Sequence, residues 1–555
     1  MMTKFSMFCS KLIKANTKAG RILTASALAL ILTVSAPAAA LGSPVDDVRS
    51  LLESQYVDPV DPWVLSASSV EEMLKRLDDP HTVFFTQKEY QNFLNSMDLS
   101  FSGIGVYIEL EPRGLEIVGI IPGSPAEEAK LKTGDIIAQV GGQSLAGLSQ
   151  DAATTLIKGP EGTTIDIVVL RGEERLSLKV ARRAVEVPTV SGEMLNEDIG
   201  YVAIESFGET TEELFEQVIK ELDKQGADAW VMDLRNNPGG YLDSALSLAG
   251  YFIGEQTALQ TKDRSQKFEP YQAEKQEFII AEPVIFLTNE NSASASEILT
   301  AVVKDYQKAV VVGTNTYGKG SVQSLWQLTD GDVLKITVAK FYSPYGKEIN
   351  GVGISPDVEI LENDPLEMAV LMLAGSIQGN DDGQEVADLV QFTAGGKDWN
   401  ISLEEARNPE YWSAYRELIQ NNSFPGGFSW RHNSDWAAIS QSEQDALWPL
   451  FYPGYHGMKE LKDLAVDKTF TVRFTAPIDF KSVTENSFEL IESESGKRMP
   501  VTFEQVDERS VKVIPQGLLE PEKTYWLLTH QGIAAKDGSI LKEGALTVGT
   551  TGAGH

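Results

Sequence analysis

A chain of 555 residues is long enough for about three or four domains, and 42% hydrophobic with 23% charged residues is the composition of folded protein. Its 47 Lys and Arg stand against 80 Asp and Glu, a formal net charge of −33. A surface of that sign repels phosphate backbones, which excludes general nucleic-acid binding and suits neutral, basic or apolar partners.

The first 40 residues differ from the rest. Lys4, Lys11, Lys14, Lys18 and Arg21 occur with no acidic residue before Asp46; an apolar run, Ile22 to Val34, then leads into Ser35-Ala36-Pro37-Ala38-Ala39-Ala40. A basic start, a short apolar stretch and a small-residue exit predict a signal peptide over residues 1–40, cut near Ala38 to Ala40. A membrane span needs about 20 apolar residues; retention as an anchor is the alternative to cleavage. The expected location is therefore outside the cytoplasm of a bacterium, extracellular or in the cell envelope. The single cysteine, Cys9, falls in this segment, so the remainder has neither a disulfide nor a thiol nucleophile and must be held by packed cores.

Residues 45–100 read as helical. Ser69-Val70-Glu71-Glu72 and Thr86-Gln87-Lys88-Glu89 have capping-box spacing, and Asp79-Pro80-His81-Thr82 between them predicts a turn. Residues 101–183 change to short strands with glycine punctuation: Ser102-Gly103-Ile104-Gly105-Val106 before a strand, Gly123-Ser124-Pro125-Ala126 opening a short helix, Leu131-Lys132-Thr133-Gly134-Asp135 leading into another strand. This order resembles a bacterial PDZ domain. The resemblance implies that the amides of Gly103, Ile104, Gly105 and Val106 receive the terminal carboxylate of a peptide that pairs as an added strand. Ile104, Val106 and the helix near Thr155 to Ile157 are expected to form apolar walls. Arg171 resembles a position that senses bound peptide in some relatives, with a solvated strand-end charge as the alternative.

Residues 184–363 alternate strands and helices. Strands are expected over Ile199–Ile204, Trp230–Leu234, Val284–Leu287 and Ala309–Val312; helices begin near Thr210, Leu242 and Ser296. Buried strands between amphipathic helices indicate an α/β core. Residues 364–460 carry Trp399, Trp412, Trp430, Trp436 and Trp448, better suited to a core or interface than to stacking on sugars. Residues 461–550 read as all-β. There Asp467 to Phe474, Tyr525-Trp526-Leu527 and Lys536-Asp537-Gly538 resemble an Ig-like domain of bacterial surface proteins, which implies a spacer or adhesion module. Such a module is expected to be dispensable for chemistry, so that a chain ending near Asp364 should still cleave if it folds. The expected fold class is multidomain α/β, with a helical N-terminal segment, a PDZ-like domain, a peptidase core and an Ig-like C-terminal domain.

Three segments of the α/β region concentrate chemistry: Asp233-Leu234-Arg235-Asn236-Asn237-Pro238-Gly239-Gly240, Asn291-Ser292-Ala293-Ser294-Ala295-Ser296-Glu297 and Gly318-Lys319-Gly320-Ser321-Val322-Gln323. Gly313 to Lys319 fits the opening of a phosphate-binding loop. Gly320, however, stands where Ser or Thr must hold magnesium, and strands rather than a helix are expected next. Hydrolysis by serine needs a proton acceptor, yet no histidine lies between His81 and His432. A buried lysine, losing its charge to desolvation, can serve instead, and amides at a helix start or a Gly-Gly turn can hold an oxyanion.

These residues, following a PDZ-like segment, resemble the carboxyl-terminal processing, or tail-specific, serine peptidases, and the likeness runs from about Val45 to Asp364. The resemblance implies Ser294 as nucleophile, Lys319 as general base and Gln323 as the residue that hydrogen-bonds and orients the lysine. It implies an oxyanion hole of the Ala295 amide and that of Gly239 or Gly240. Ser292 and Ser296 are expected to cap or line the helix start, Glu297 to be no triad acid, and Asp305 to be structural. No cofactor or metal is expected. The partners implied are protein or peptide substrates with free, apolar C-termini; cell-surface or cell-wall association and assembly of identical copies are compatible with this organisation. The competing reading is a non-catalytic cell-surface scaffold or adhesion protein built from PDZ-like and Ig-like modules.

Overall fold

The computed structural model describes residues 30–32, 43–378, 388–432 and 435–553. The expected leader therefore lies mostly outside the described residues, its cleavage site included. Of its apolar run, Leu30–Leu32 is described, as a short strand parallel to the Ser321–Gln327 strand with Ile31 opposite Gln323. Among the described residues no helix is long and apolar enough to cross a membrane.

The central sheet has the strand order Val190–Leu195, Ile199–Ile204, Ala229–Asp233, Val284–Thr288, Val310–Gly313 and Val358–Glu359. Its first pair is antiparallel and the others parallel. Every residue of Ile199–Ile204, Ala229–Asp233 and Val284–Thr288 is buried, as unbroken apolar runs require when both faces of a sheet are covered. Val202, Trp230, Phe286 and Val311 face helices Thr211–Gln225, Leu242–Ile253 and Ala295–Asp305. The alternate residues Tyr201, Val231, Ile285 and Val312 face helix Pro365–Gln378. The two chemical segments leave the carboxyl ends of adjacent parallel strands, where open α/β sheets place their ligands.

The N-terminal segment is not purely helical and not separate from the peptidase region. Its Val83–Phe85 strand pairs with Val333–Tyr342, and Val48, Leu52 and Met73 of its helices pack on Leu334 and Ile336. The third motif is followed by the Ser321–Gln327 strand and not by a helix, against any phosphate-binding loop.

The PDZ-like region forms a sheet in the order Val106–Glu111, Gly114–Ile120, Ile136–Val140, Thr164–Arg171 and Glu174–Ala181, with Val106–Glu111 at its edge. Ile104 and Ile157, expected as groove walls, are instead buried in this domain's core. Arg171 is not a solvated charge: its guanidinium grips both oxygens of the buried Asp135 at 2.7 Å and donates to the Lys130 carbonyl.

At the C-terminal end, two small sheets enclose Phe470, Phe488, Val511, Val513 and Leu527. This region is not a detached spacer. Ile491, Trp526, Leu528 and Leu546 enter the same core as Trp412, Phe451 and the central sheet. The fully buried Trp412 stacks 4.2 Å from Phe451, lies 5.5 Å from Trp526, and donates its indole N–H to the Ser493 carbonyl. Gly496, at φ +68°, passes so close that a Cβ there would stand 2.5 Å from the Trp412 ring.

Helix Pro365–Gln378 settles the role of this end. Met368, Leu371, Met372 and Leu373 are at most 1% exposed and cover one face of the central sheet. At about 1.5–3 kcal/mol for each such side chain, uncovering them removes as much as a whole domain's stability of about 5–15 kcal/mol. A chain ending at Asp364, expected from sequence still to cleave if it folds, is thus predicted to aggregate or to lack a cooperative thermal transition. A soluble Asp364-terminated chain with the full-length melting temperature would show that the C-terminal regions are independent of the core.

Candidate active site

Ser294 sits at the turn between strand Val284–Thr288 and helix Ala295–Asp305, with φ +60° and ψ −111°. A non-glycine residue in so sparsely populated a region stores about 1–3 kcal/mol of strain, which the surroundings must hold. Those surroundings are the other two segments. Ser292 donates its hydroxyl to the Leu234 carbonyl at 2.8 Å, and Ser296 donates to that of Asn237 at 2.9 Å. The Ala293 amide also donates to the Asn237 carbonyl. The flanking serines are thereby committed to structure. The Ser294 hydroxyl, wholly buried, makes no hydrogen bond among the described residues.

Asn237, also fully buried, organises the glycine turn. Its Nδ2 donates to the Ile204 carbonyl at 2.7 Å and its Oδ1 accepts from the Gly239 amide at 2.9 Å. Gly239 has φ +102°, and a Cβ there would come within 2.9 Å of the Ala293 carbonyl, Ser294 Cβ and the Ala295 amide. Glycine is required here to bring the turn onto the Ser294 peptide. Gly240 instead crowds Phe207, whose carbonyl would lie 2.2 Å from a Cβ. Behind the turn, Arg235 bridges Asp233 at 2.6 Å and Asp364 at 2.7 Å, while Tyr201 donates to Asp233.

Glu297 joins the serine to the lysine. Its carboxylate accepts the Ser294 and Lys319 amides on one oxygen, both at 2.8 Å. Its other oxygen accepts the Gly318 amide at 2.7 Å and the Thr316 hydroxyl at 2.6 Å. The backbone nitrogens of Ser294 and Lys319 are consequently within two hydrogen-bond lengths of each other. Burial pushes the Glu297 carboxyl above its usual range, against the pull of these donors.

Lys319 is 2% exposed. Desolvation drives its ammonium well below the ordinary lysine value, and the Lys335 charge adds to this against the opposing Glu297 and Asp79. Lys335 is itself buried, 4.9 Å over the Phe93 ring, and desolvation brings it to about 8. Gln323, also fully buried, does not make the expected hydrogen bond to the lysine. Its Nε2 donates to Ser321 at 2.9 Å and Thr337 at 3.2 Å, and its Oε1 has no hydrogen-bond partner among the described residues. His81 belongs to the same neighbourhood despite its distance in sequence. Burial is the largest cause that takes its imidazole down to about 4, so it is neutral.

Sequence reasoning named Ser294, Ala295, Lys319, Gln323, Gly239 and Gly240, and the fold gathers them where two strands and a hairpin meet. Glu297, dismissed as a triad acid, was missed as a backbone clamp. Its capping-box spacing after Ser294 was a usable signal. Asp305 accepts from Ser343, Tyr345 and Lys347 and so is tied up in holding their loop. The PDZ residues lie away from the central sheet: Gly103 ends the Ser100–Gly103 strand, Val106 begins the Val106–Glu111 strand, and between them the Gly105 carbonyl accepts the Ser124 hydroxyl and the Ile104 carbonyl the Ala126 amide. Among the described residues no group of His, Cys, Asp and Glu is placed to hold a metal.

Peptidase family S41 matches residues 198–360, and a PDZ domain matches residues 116–171. The chain is 33% identical over 337 residues to the carboxy-terminal processing protease CtpA of Bacillus subtilis, spanning 60% of this chain and 72% of that protein. It is 34% identical over 319 residues to a probable CtpA-like serine protease of Staphylococcus aureus, spanning 57% of this chain but only 64% of that protein. The solved photosystem II D1 C-terminal processing protease aligns at 26% identity with a TM-score of 0.38, over 57% of this chain and 92% of that chain. A serine-type peptidase carrying a PDZ domain is the class that the family matches and the Bacillus subtilis relative define. Within it, the chain belongs to the carboxy-terminal processing proteases of peptidase family S41.

Glu297→Gln sets an amide N–H against backbone donors that now meet an oxygen. One such unsatisfied buried contact costs about 1–3 kcal/mol. Peptidase kcat is expected to fall by about 5- to 150-fold on that scale, with a lower melting temperature. Wild-type kcat in Glu297→Gln would show that the clamp is not needed.

Proposed function

We propose that this peptidase acts through a Ser294–Lys319 dyad on exported protein substrates selected by their C-terminal tails. The observation that carries the dyad is the Ser294 hydroxyl: fully buried, without a partner, on a strained helix-start residue clamped through Glu297 to a buried lysine. Neutral Lys319 Nζ accepts the hydroxyl proton as Ser294 Oγ attacks the scissile carbonyl. The oxyanion is met by the Ala295 amide, an unpaired first-turn donor of its helix, together with that of Gly239 or Gly240. The Gly239 amide is held by Asn237 Oδ1, so its use requires exchange of that bond. Lys319 then returns the proton to the leaving amine, and water, activated by the same lysine, hydrolyses the acyl-enzyme. Gln323, in the strand that directly follows Lys319, is assigned to orient this lysine.

Tail selection is supported by the position of the Val106–Glu111 strand at the edge of its sheet, where a further strand can be added, next to residues Gly103 to Val106. Export rests on the basic-then-apolar leader with its small-residue exit.

Ser294→Ala and Lys319→Arg should each abolish cleavage of an unfolded protein such as casein, since guanidinium does not deprotonate to act as a base. Retained cleavage by folded Lys319→Arg would remove the lysine from the mechanism. Amidating the C-terminus of a peptide substrate, or ending it in Asp, is expected to raise KM several-fold with little change in kcat. Equal kinetics on free and amidated tails would leave a peptidase whose PDZ domain does not read the carboxylate.

A further inference from the structure

The Asp79-Pro80-His81-Thr82 turn has no role in the chemistry above, yet it lies against the lysine's neighbourhood. Asp79 Oδ2 accepts the Thr337 hydroxyl at 2.7 Å and the Thr82 hydroxyl at 2.6 Å, and Oδ1 accepts the His81 amide at 2.9 Å. These donors fix the carboxylate from several sides, and burial, helped by its charge, raises the nearby Tyr56 hydroxyl's pKa. Thr82 Oγ1 in turn accepts the Thr337 amide at 3.1 Å, which pins the turn to strand Val333–Tyr342. Thr337 stands opposite Gln323 in the strand register, and the two side chains meet at 3.2 Å.

A threonine hydroxyl has one proton. Thr337 gives its proton to the Asp79 carboxylate, so toward Gln323 it offers only a lone pair. That polarity decides the amide's orientation. Were Gln323 flipped, its carbonyl oxygen would face the Thr337 lone pairs and its Nε2 would be the buried group without a partner. As found, Nε2 points at Thr337 and Ser321, and Oε1 is left as an open acceptor in the buried neighbourhood of Lys319.

We propose that Asp79 and Thr337 are positioning residues for the peptidase: a directed hydrogen-bond chain, Asp79 to Thr337 to Gln323, locks the Gln323 amide with its carbonyl oxygen presented for a Lys319 N–H. The inference rests on the Ser294–Lys319 reading and extends it to residues supplied by the N-terminal segment. The chain's task is to keep the correct end of the amide waiting.

The test uses the full chain with a quenched fluorogenic peptide bearing a free apolar C-terminus, reading kcat and KM separately. Thr337→Val keeps the shape and loses the hydroxyl; Thr337→Ser keeps the hydroxyl. Thr337→Val is expected to lower kcat by about 10- to 100-fold, the range for losing one buried hydrogen bond, with KM within twofold. Thr337→Ser is expected to recover kcat to within about threefold of wild type. Wild-type kcat in Thr337→Val, or an equal loss in both variants, overturns the proposal, the second because it would make packing and not the hydroxyl responsible. If Thr337→Val does not fold, Asp79→Asn decides: its loss of a charged acceptor must reproduce the selective fall in kcat, and wild-type kcat overturns the chain. Ser294→Ala, run alongside, separates the two levels. Activity in Ser294→Ala refutes the dyad, whereas an inactive Ser294→Ala with a fully active Thr337→Val refutes only the positioning chain.

Discussion

The arrangement depends on one buried carboxylate. Glu297 gathers the Ser294, Gly318 and Lys319 amides and the Thr316 hydroxyl, and by doing so holds a strained helix-start serine against a loop that comes from another strand. Desolvation of a carboxylate is costly, and these four donors are what offsets it. The same low-polarity pocket acts oppositely on Lys319, for which loss of the ammonium is the cheaper outcome. One environment therefore keeps an acceptor in place by satisfying it and lowers a lysine's pKa by desolvating it.

The rest of the fold supplies rigidity around that pocket. Parallel strands deliver two of the three segments to one end of the central sheet, and the Asn237 carbonyl ties them together by accepting the Ser296 hydroxyl and the Ala293 amide. The N-terminal segment closes the third side through Val83–Phe85 and the Asp79 turn. On the far face, helix Pro365–Gln378 and the Trp412–Phe451–Trp526 cluster bind the C-terminal sheets into the same core. The PDZ domain, by contrast, packs around its own core and presents an edge strand. It is the module best separated from the sheet that carries the serine.

Much of this was legible in sequence because the signals were local. Unbroken apolar runs such as Trp230 to Leu234 marked strands buried on both faces, and glycines at Gly239 and Gly318 marked backbone that must approach closely. Motif order then placed Ser294 and Lys319. What escaped was non-local. Nothing in the spacing shows that Glu297 reaches across to Gly318, or that Asp79 meets Thr337 more than 250 residues away. The histidine gap between His81 and His432 suggested a domain without histidine, while the fold returns His81 to the lysine's surroundings. The C-terminal region misled for a related reason: alternating Phe470, Val472 and Phe474 describe an all-β module, but whether its outer face is wet or packed on Trp412 depends on tertiary contact.

The central claim is that a buried, neutral Lys319 activates Ser294, and the pH dependence of a single acylation event tests it most directly. Below its pKa an ammonium has no lone pair to accept the serine proton; above it the amine does. The rate at which Ser294 is labelled by a fluorophosphonate should therefore rise with pH through a midpoint well below the ordinary lysine value of about 10.4, and that rise should vanish in Lys319→Arg. A midpoint at or above the free-lysine value, or an unchanged profile in Lys319→Arg, would contradict the account.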